Sequence, residues 1–260
     1  MLLWWFRRVG PYARGMITGQ LVGKVVIAGL VVVGAGLLVA GPLLYREVRA
    51  RTGRETVQSR VASIGPRVEP LWHARLSTAG LTAASLASRQ ITLLTIKDQR
   101  LLHVFVSRDD GSPAWLATFP VTAASGGPGP KLREGDRQVP EGMYAIESLN
   151  PNSRYHLALR VAYPSEADRE QAKLDGRTNL GGDIMIHGGA GSIGCIAIGD
   201  PAIEEVFWLA ATAGHTRVRC VIAPSQTPLE LITPQTPAWV SERYRQLDEQ
   251  LKALLAELPK

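Results

Sequence analysis

Asp183-Ile-Met-Ile-His187-Gly-Gly-Ala-Gly191-Ser-Ile-Gly-Cys195-Ile-Ala-Ile-Gly-Asp200 is the stretch on which the reading of this chain turns. Ile184 and Ile186 alternate with other residues as a strand requires, and the strand runs up to His187. Beyond it, Gly188, Gly189, Gly191 and Gly194 make a loop whose backbone can fold back over a small site, and Cys195 closes it eight positions after the histidine. Cysteine attacks carbonyl carbon as the thiolate, so an imidazole within hydrogen-bond reach lowers its pKa and carries the proton. His187 is placed to do this for Cys195, with a backbone carbonyl such as that of Gly188 orienting the ring. The amides of Ile193, Gly194 and Cys195, free of other partners, would form a nest for the oxyanion that follows attack. A plainer reading stays open beside this one: a strand end, a turn and a buried thiol.

Other residues fall into an ordered set around this stretch. Lys131-Leu-Arg-Glu-Gly-Asp136, Pro140-Glu-Gly-Met-Tyr144, Leu149-Asn-Pro-Asn-Ser-Arg154 and Gly176-Arg177 precede His187-Gly188, Ser192-Ile-Gly-Cys195 and Asp200. From about Thr56 to Lys260 the chain resembles the L,D-transpeptidase (YkuD-type) catalytic-domain family, in its YafK-like branch. Two positions depart from the commoner pattern of that family. Ile193 stands where a His usually precedes Gly-Cys, and Ala197 stands where an Arg usually follows two places after the Cys. The interval from His to Cys is also shorter than in most relatives, and all three departures fit the YafK-like branch. The resemblance implies Cys195 as nucleophile and His187 as base and then acid, with Gly188, Ile193 and Gly194 contributing backbone groups. It also implies substrate contacts from Ser192, Arg177, Lys131 and Arg154.

The 260-residue chain carries a net charge of +6, but its arginines are scattered and no aromatic and basic stacking face accompanies them. Nucleic acid is therefore not an expected partner, whereas anionic lipid or an anionic wall polymer suits a basic exterior. Residues 25–45 are apolar over the length a membrane-spanning helix needs. The alternative is a cleaved signal peptide, which Val39-Ala40-Gly41 fits poorly as a cleavage site; an uncleaved signal anchor is the expectation. Arg7, Arg8, Arg14 and Lys24 before the span balance Arg46, Arg49, Arg51, Arg54 and Arg60 after it, so charge does not orient it.

Downstream of the span, Val57, Val61, Ile64, Val68 and Leu71 recur at helical spacing, with Gly65-Pro66 expected to break or kink the helix. Ile91 to Ile96 and Leu101 to Val106 read as paired strands turning at Asp98-Gln99, and Trp115 to Val121 as a third. Residues 122–142 have a loop composition and are read as a flap recognising carboxylates or as solvated surface. Met143 to Ser148 and Tyr155 to Tyr163 read as strands around a turn at Asn150-Pro151-Asn152, and residues 164–178 as a short helix and loop. Asp200 as N-cap and Pro201 in the first turn start a helix that ends at Gly214. In Thr216 to Pro224 the alternation puts Val218, Cys220 and Ile222 inward, so both cysteines are expected unpaired. After Pro237, Val240, Tyr244, Leu247, Leu251, Leu254 and Leu258 form a seam for packing on the same domain. His187, Cys195, His215 and Cys220 lack C-x-x-C or H-x-x-x-H spacing, so no metal is expected, and no other cofactor.

The expected organisation is a cytoplasmic segment (1–24), a transmembrane signal anchor (25–45), a linker and helical segment (46–89), a catalytic domain (90–236) and a C-terminal helix (237–260). The expected fold is a β-rich α+β domain, a sandwich or barrel with flanking helices as the family resemblance implies. That resemblance also implies a cell-envelope enzyme, with its catalytic domain in the periplasm. It would act on peptidoglycan peptide stems containing meso-diaminopimelate, by transpeptidation or hydrolysis, with wall-attached protein as a further partner. A catalytically silent wall-binding or scaffold protein of the same fold is the alternative.

Overall fold

The computed structural model describes residues 54–259, and Glu55–Lys260 form one compact unit. The expected span at 25–45 lies outside the described residues; among those described, no helix is long and apolar enough to cross a membrane.

Helix α1 (Val57–Thr78) opens with a capping box in which Thr56 and Ser59 satisfy each other's amides. It runs unbroken through Pro66 and Pro70, contrary to the break or kink expected at Gly65-Pro66. Both prolines stand on the exposed side, where water can take up the carbonyls they leave unpaired. The buried stripe is Ile64, Val68, Trp72 and Leu76, and Leu71 falls outside it at 44% exposure.

The nine strands among the described residues are β1 (Ile91–Ile96), β2 (Leu101–Ser107), β3 (Pro113–Pro120), β4 (Ala123–Ala124), β5 (Gly142–Ser153), β6 (His156–Val161), β7 (Met185–His187), β8 (Ile196–Ala197) and β9 (Val218–Ala223). They are hydrogen-bonded in one series, β3-β2-β1-β9-β5-β6-β7-β8-β4, so the fold is α+β around a large mixed sheet. Only β1 with β9 and β7 with β8 run parallel. Strand β5 joins the two halves: Gly142 to Ala145 pair with β9, and Ile146 to Ser153 pair with β6, with a bulge between Ile146 and Ser148. Its hairpin turns at Arg154-Tyr155 rather than at Asn150-Pro151-Asn152, because Ser153 pairs with His156. The Asn152 side chain instead exchanges hydrogen bonds with the Glu55 backbone, at 2.9 and 2.8 Å.

β1 is buried on both faces, since helices cover both. Leu93, Cys220 and Ile222 point into the main core with α1 and with α3 (Asp200–Ala213). Leu94, Ile96, Val221 and Ala223 point the other way, onto Val240, Tyr244, Leu247, Leu251 and Leu254 of α4 (Ala238–Ala256). The C-terminal seam thus packs on its own unit, as its spacing predicts. A shorter helix, α2 (Glu166–Leu174), is tied to α4 by an ion pair of Asp168 with Arg243 at 2.7 Å.

Candidate active site

Strands β7 and β8 lie side by side and parallel, with Ile186 opposite Ile196 and His187 opposite Ala197. Side chains alternate along a strand, so Ile186, Ile196 and Ile198 enter the core, and His187 and Cys195 are carried on the other face. The Gly189 amide donates to Asp200 Oδ1 at 2.8 Å, and Thr122 Oγ donates to the Gly189 carbonyl at 2.9 Å. Gly188 is required by space: a Cβ there would stand 2.4 Å from Asp200 Oδ1 and 2.7 Å from the Tyr155 carbonyl. Asp200 therefore does not cap its helix; Gly199 takes the N-cap position with no side-chain hydrogen bond, and the carboxylate is turned back to the glycine loop.

His187 is 2% exposed, and its Nδ1 lies 2.6 Å from the Gly188 carbonyl. A carbonyl only accepts, so Nδ1 carries the hydrogen and, in the neutral ring, Nε2 is the free base. Burial lowers the pKa of His187, and the bond to Gly188 opposes this only in part. The ring stacks on Tyr155 from the β5–β6 hairpin, with centroids 4.5 Å apart and planes at 29°. Cys195 is half-buried and unpaired. Its Sγ donates to the Asp183 carbonyl at 3.5 Å rather than to His187. Burial raises the thiol pKa, against a smaller lowering from the Met185 backbone. The resting pair is thus a neutral imidazole and a neutral thiol on one face of adjacent strands.

The model of the L,D-transpeptidase catalytic domain, YkuD, matches residues 89–220, just over half of the chain, and this region contains all of these groups. The chain belongs to the L,D-transpeptidase catalytic-domain family. Two curated relatives, each named "Putative L,D-transpeptidase YafK", come from Escherichia coli K12 and O157:H7. Each is 32% identical over 144 residues, which make up 54% of this chain and 56% of the relative. The chain spans about half the length of the curated relatives it matches. Among solved structures, the K307A mutant of the helical cell shape determining protein Pgp2 from Campylobacter jejuni is 25% identical with a TM-score of 0.43, over 65% of this chain and 56% of that one. L,D-transpeptidase 1 of Mycobacterium tuberculosis is 16% identical with a TM-score of 0.29, over 52% and 62%.

Within this L,D-transpeptidase domain the remaining predicted site residues divide. Gly194, at φ 120°, and Ile193, 81% exposed, form the tip of the loop before the cysteine. The amides of Gly194 and Cys195 are not free as expected: both donate to Ser192 Oγ, at 3.3 and 3.0 Å. Ser192 in turn donates to the Cys195 carbonyl at 2.6 Å. Ser192 is therefore an organiser of the loop in this state. Lys131 is buried and spent on Asp136, at 2.6 Å, and on the Arg133 carbonyl. Arg177 is engaged by Asp175 and the Leu132 carbonyl. Arg154 is exposed at the hairpin tip and has no side-chain partner among the described residues.

The flap at 122–142 is a fixed structure. Lys97 Nζ reaches the Gly129 and Val139 carbonyls, Gln138 and, at 2.9 Å, the fully buried Glu141, which also accepts from Tyr244 of α4. Burial acts against ionised Asp136, yet the Arg133, Gln138 and Leu132 amides and Lys131 hold its pKa at about 2. Sequence reasoning missed Tyr155, Asp183 and the loop-tying role of Asp200. Asp183 and Asp200 both lie in the quoted stretch, whereas Tyr155 comes from a distant hairpin.

Proposed function

We propose that the chain is a peptidoglycan-modifying cysteine enzyme acting on meso-diaminopimelate-containing peptide stems. The observation that carries the reading is the bond of His187 Nδ1 to Gly188, which leaves Nε2 as an acceptor on the face that holds Cys195. A rotation of the Cys195 side chain away from Asp183 brings its proton to Nε2. Sγ then bonds the substrate carbonyl carbon, the carbon–nitrogen bond breaks, and the proton on Nε2 goes to the leaving amine. An acceptor amine or water attacks the thioester, gives its proton to Nε2 and returns the thiol, which yields transpeptidation or hydrolysis. The oxyanion is a stronger acceptor than a hydroxyl, so the amides of Gly194 and Cys195 exchange Ser192 Oγ for it.

Peptidoglycan lies outside the cytoplasmic membrane, so a signal anchor at 25–45 with the catalytic unit in the periplasm belongs to the same proposal. Protein attached to the wall is a further substrate under hydrolysis. One observation favours the silent scaffold instead: the thiol rests on a carbonyl with its pKa raised. Incubation of the full chain with purified muropeptides, followed by mass spectrometry, separates the two. New or shortened stems, lost in Cys195→Ala and in His187→Ala without additivity, support catalysis. Unchanged product from Cys195→Ala overturns it, and binding without any product returns the chain to the scaffold reading.

A further inference from the structure

Among the described residues, each arginine withdrawn from solvent pairs with a carboxylate except Arg219. Arg219 stands on β9 opposite Thr92 of β1, and alternation puts it with Val221 and Ala223 on the face that α4 covers. Its Nε donates to Thr92 Oγ1 at 2.8 Å, and its Nη1 reaches Gln250 Oε1 of α4 at 3.4 Å. Both partners are neutral, and burial lowers the pKa of the guanidinium. A cation that exchanges water for neutral acceptors alone leaves part of its desolvation cost unmet, and a counter-charge from outside would meet it.

A cavity of about 150 Å³ opens at this guanidinium, between α4 and the strands β1, β2 and β9. Phe105, Pro113 and Leu254 give its wall hydrocarbon, and neither His187 nor Cys195 takes part in it. Arg219 Nη2 donates to no described residue, and with Oε1 turned to Arg219 the Gln250 amide keeps its Nε2 donor free. Glu249, exposed in the same wall, does not pair with Arg219. We propose that the recess binds a small organic monocarboxylate, its oxygens on Arg219 Nη2 and Gln250 Nε2 and its short hydrocarbon part on Phe105, Pro113 and Leu254. A phosphate or sulfate would bring a second negative charge against Glu249 and no hydrocarbon for the apolar wall. The site is separate from the catalytic pair and stands whether or not Cys195 transfers an acyl group.

The test is a ligand-observed NMR titration of the full-length chain with propionate at constant ionic strength. Saturable binding is expected, and Arg219→Gln is expected to weaken it about tenfold, the scale of one charge-assisted hydrogen bond. Propionamide, the uncharged counterpart, should not saturate. Ala253, exposed in the same wall, allows the recess to be filled from α4 without touching the guanidinium. Ala253→Phe should therefore abolish binding while helix content by circular dichroism stays unchanged, and it decides the matter should Arg219→Gln fail to fold. Absence of saturation, propionamide binding as tightly as propionate, or undiminished binding in either variant overturns the site. Displacement of propionate by an equal concentration of inorganic phosphate would show a general anion site and overturns the assignment to carboxylates. N-acetylalanine in place of propionate tells a peptide end from a free acid: tighter binding supports the former as the natural source of the carboxylate, weaker binding the latter.

Discussion

At the scale of single residues, the Gly188 carbonyl fixes the tautomer of His187 and the sheet register fixes its neighbourhood, but neither charges the pair. With the thiol pKa raised and the imidazole pKa lowered by burial, Cys195 is expected to alkylate slowly at pH 7 and faster at every step to pH 9. A rate that levels off below pH 8 would show a preformed thiolate and contradict the resting pair described above. Cys220, fully buried with its thiol pushed up to about 12, should stay unlabelled throughout. Tyr155 is 48% exposed but lies flat on the His187 ring, a contact worth about 1 kcal/mol. Tyr155→Ala is accordingly expected to lower kcat several-fold, and Tyr155→Phe to keep it. Equal loss in the two variants would place the role in the hydroxyl instead. His187, Cys195 and the Gly188 carbonyl were legible in the sequence because they lie within nine consecutive residues. Tyr155, 32 positions from His187, was not, since only hairpin closure brings it there.

Among the elements, the loop from His187 to Cys195 and the flap are held by contacts that local pattern misassigns. Asp200 before Pro201 has the look of a helix cap, yet the space beside Gly188 and the free Gly189 amide draw its carboxylate away. Asp200→Ala should therefore cost little helix content by circular dichroism and lose activity through the loop; a substantial loss of helix with activity retained would restore the cap. The flap hangs on Lys97 and Glu141, whose side chains are 4% and 0% exposed. Removing one partner of such a pair leaves a buried charge, so Lys97→Met should destabilise the domain by about 3 to 5 kcal/mol in urea unfolding. A change within experimental error would mean that Glu141 is neutralised by its other donors. Apolar runs located β1 and β2, which are buried on both faces, and alternation located β9, but the pattern set the end of β5 too early. Asn150-Pro151-Asn152 has turn composition, and the pairing of β5 with β6 overrides it.

For the whole molecule, pH enters through groups whose protonation differs between the folded and unfolded chains. His187 and His103 both have pKa values lowered by burial, so between their folded values and the ordinary 6.5 the unfolded chain binds more protons. Stability must then rise with pH across that window, and the urea midpoint at pH 5 should lie below that at pH 7. No difference between the two midpoints would show that these rings become protonated in the native state without cost. Asp136 adds a second loss at lower pH, as the medium passes from its ordinary 3.8 through about 2. By itself the sequence determined the α+β class, the inward face of β9, the seam of α4 and the His187 to Cys195 segment. Each of these depends on periodicity or on residues joined by a short length of chain. Tertiary structure alone decided the order β3-β2-β1-β9-β5-β6-β7-β8-β4, the passage of α1 through two prolines, and the capture of the loop amides by Ser192. It also decided which cations remain free for a ligand. A charge is spent or available according to the partner that folding brings within about 3 Å, and no local pattern records that partner.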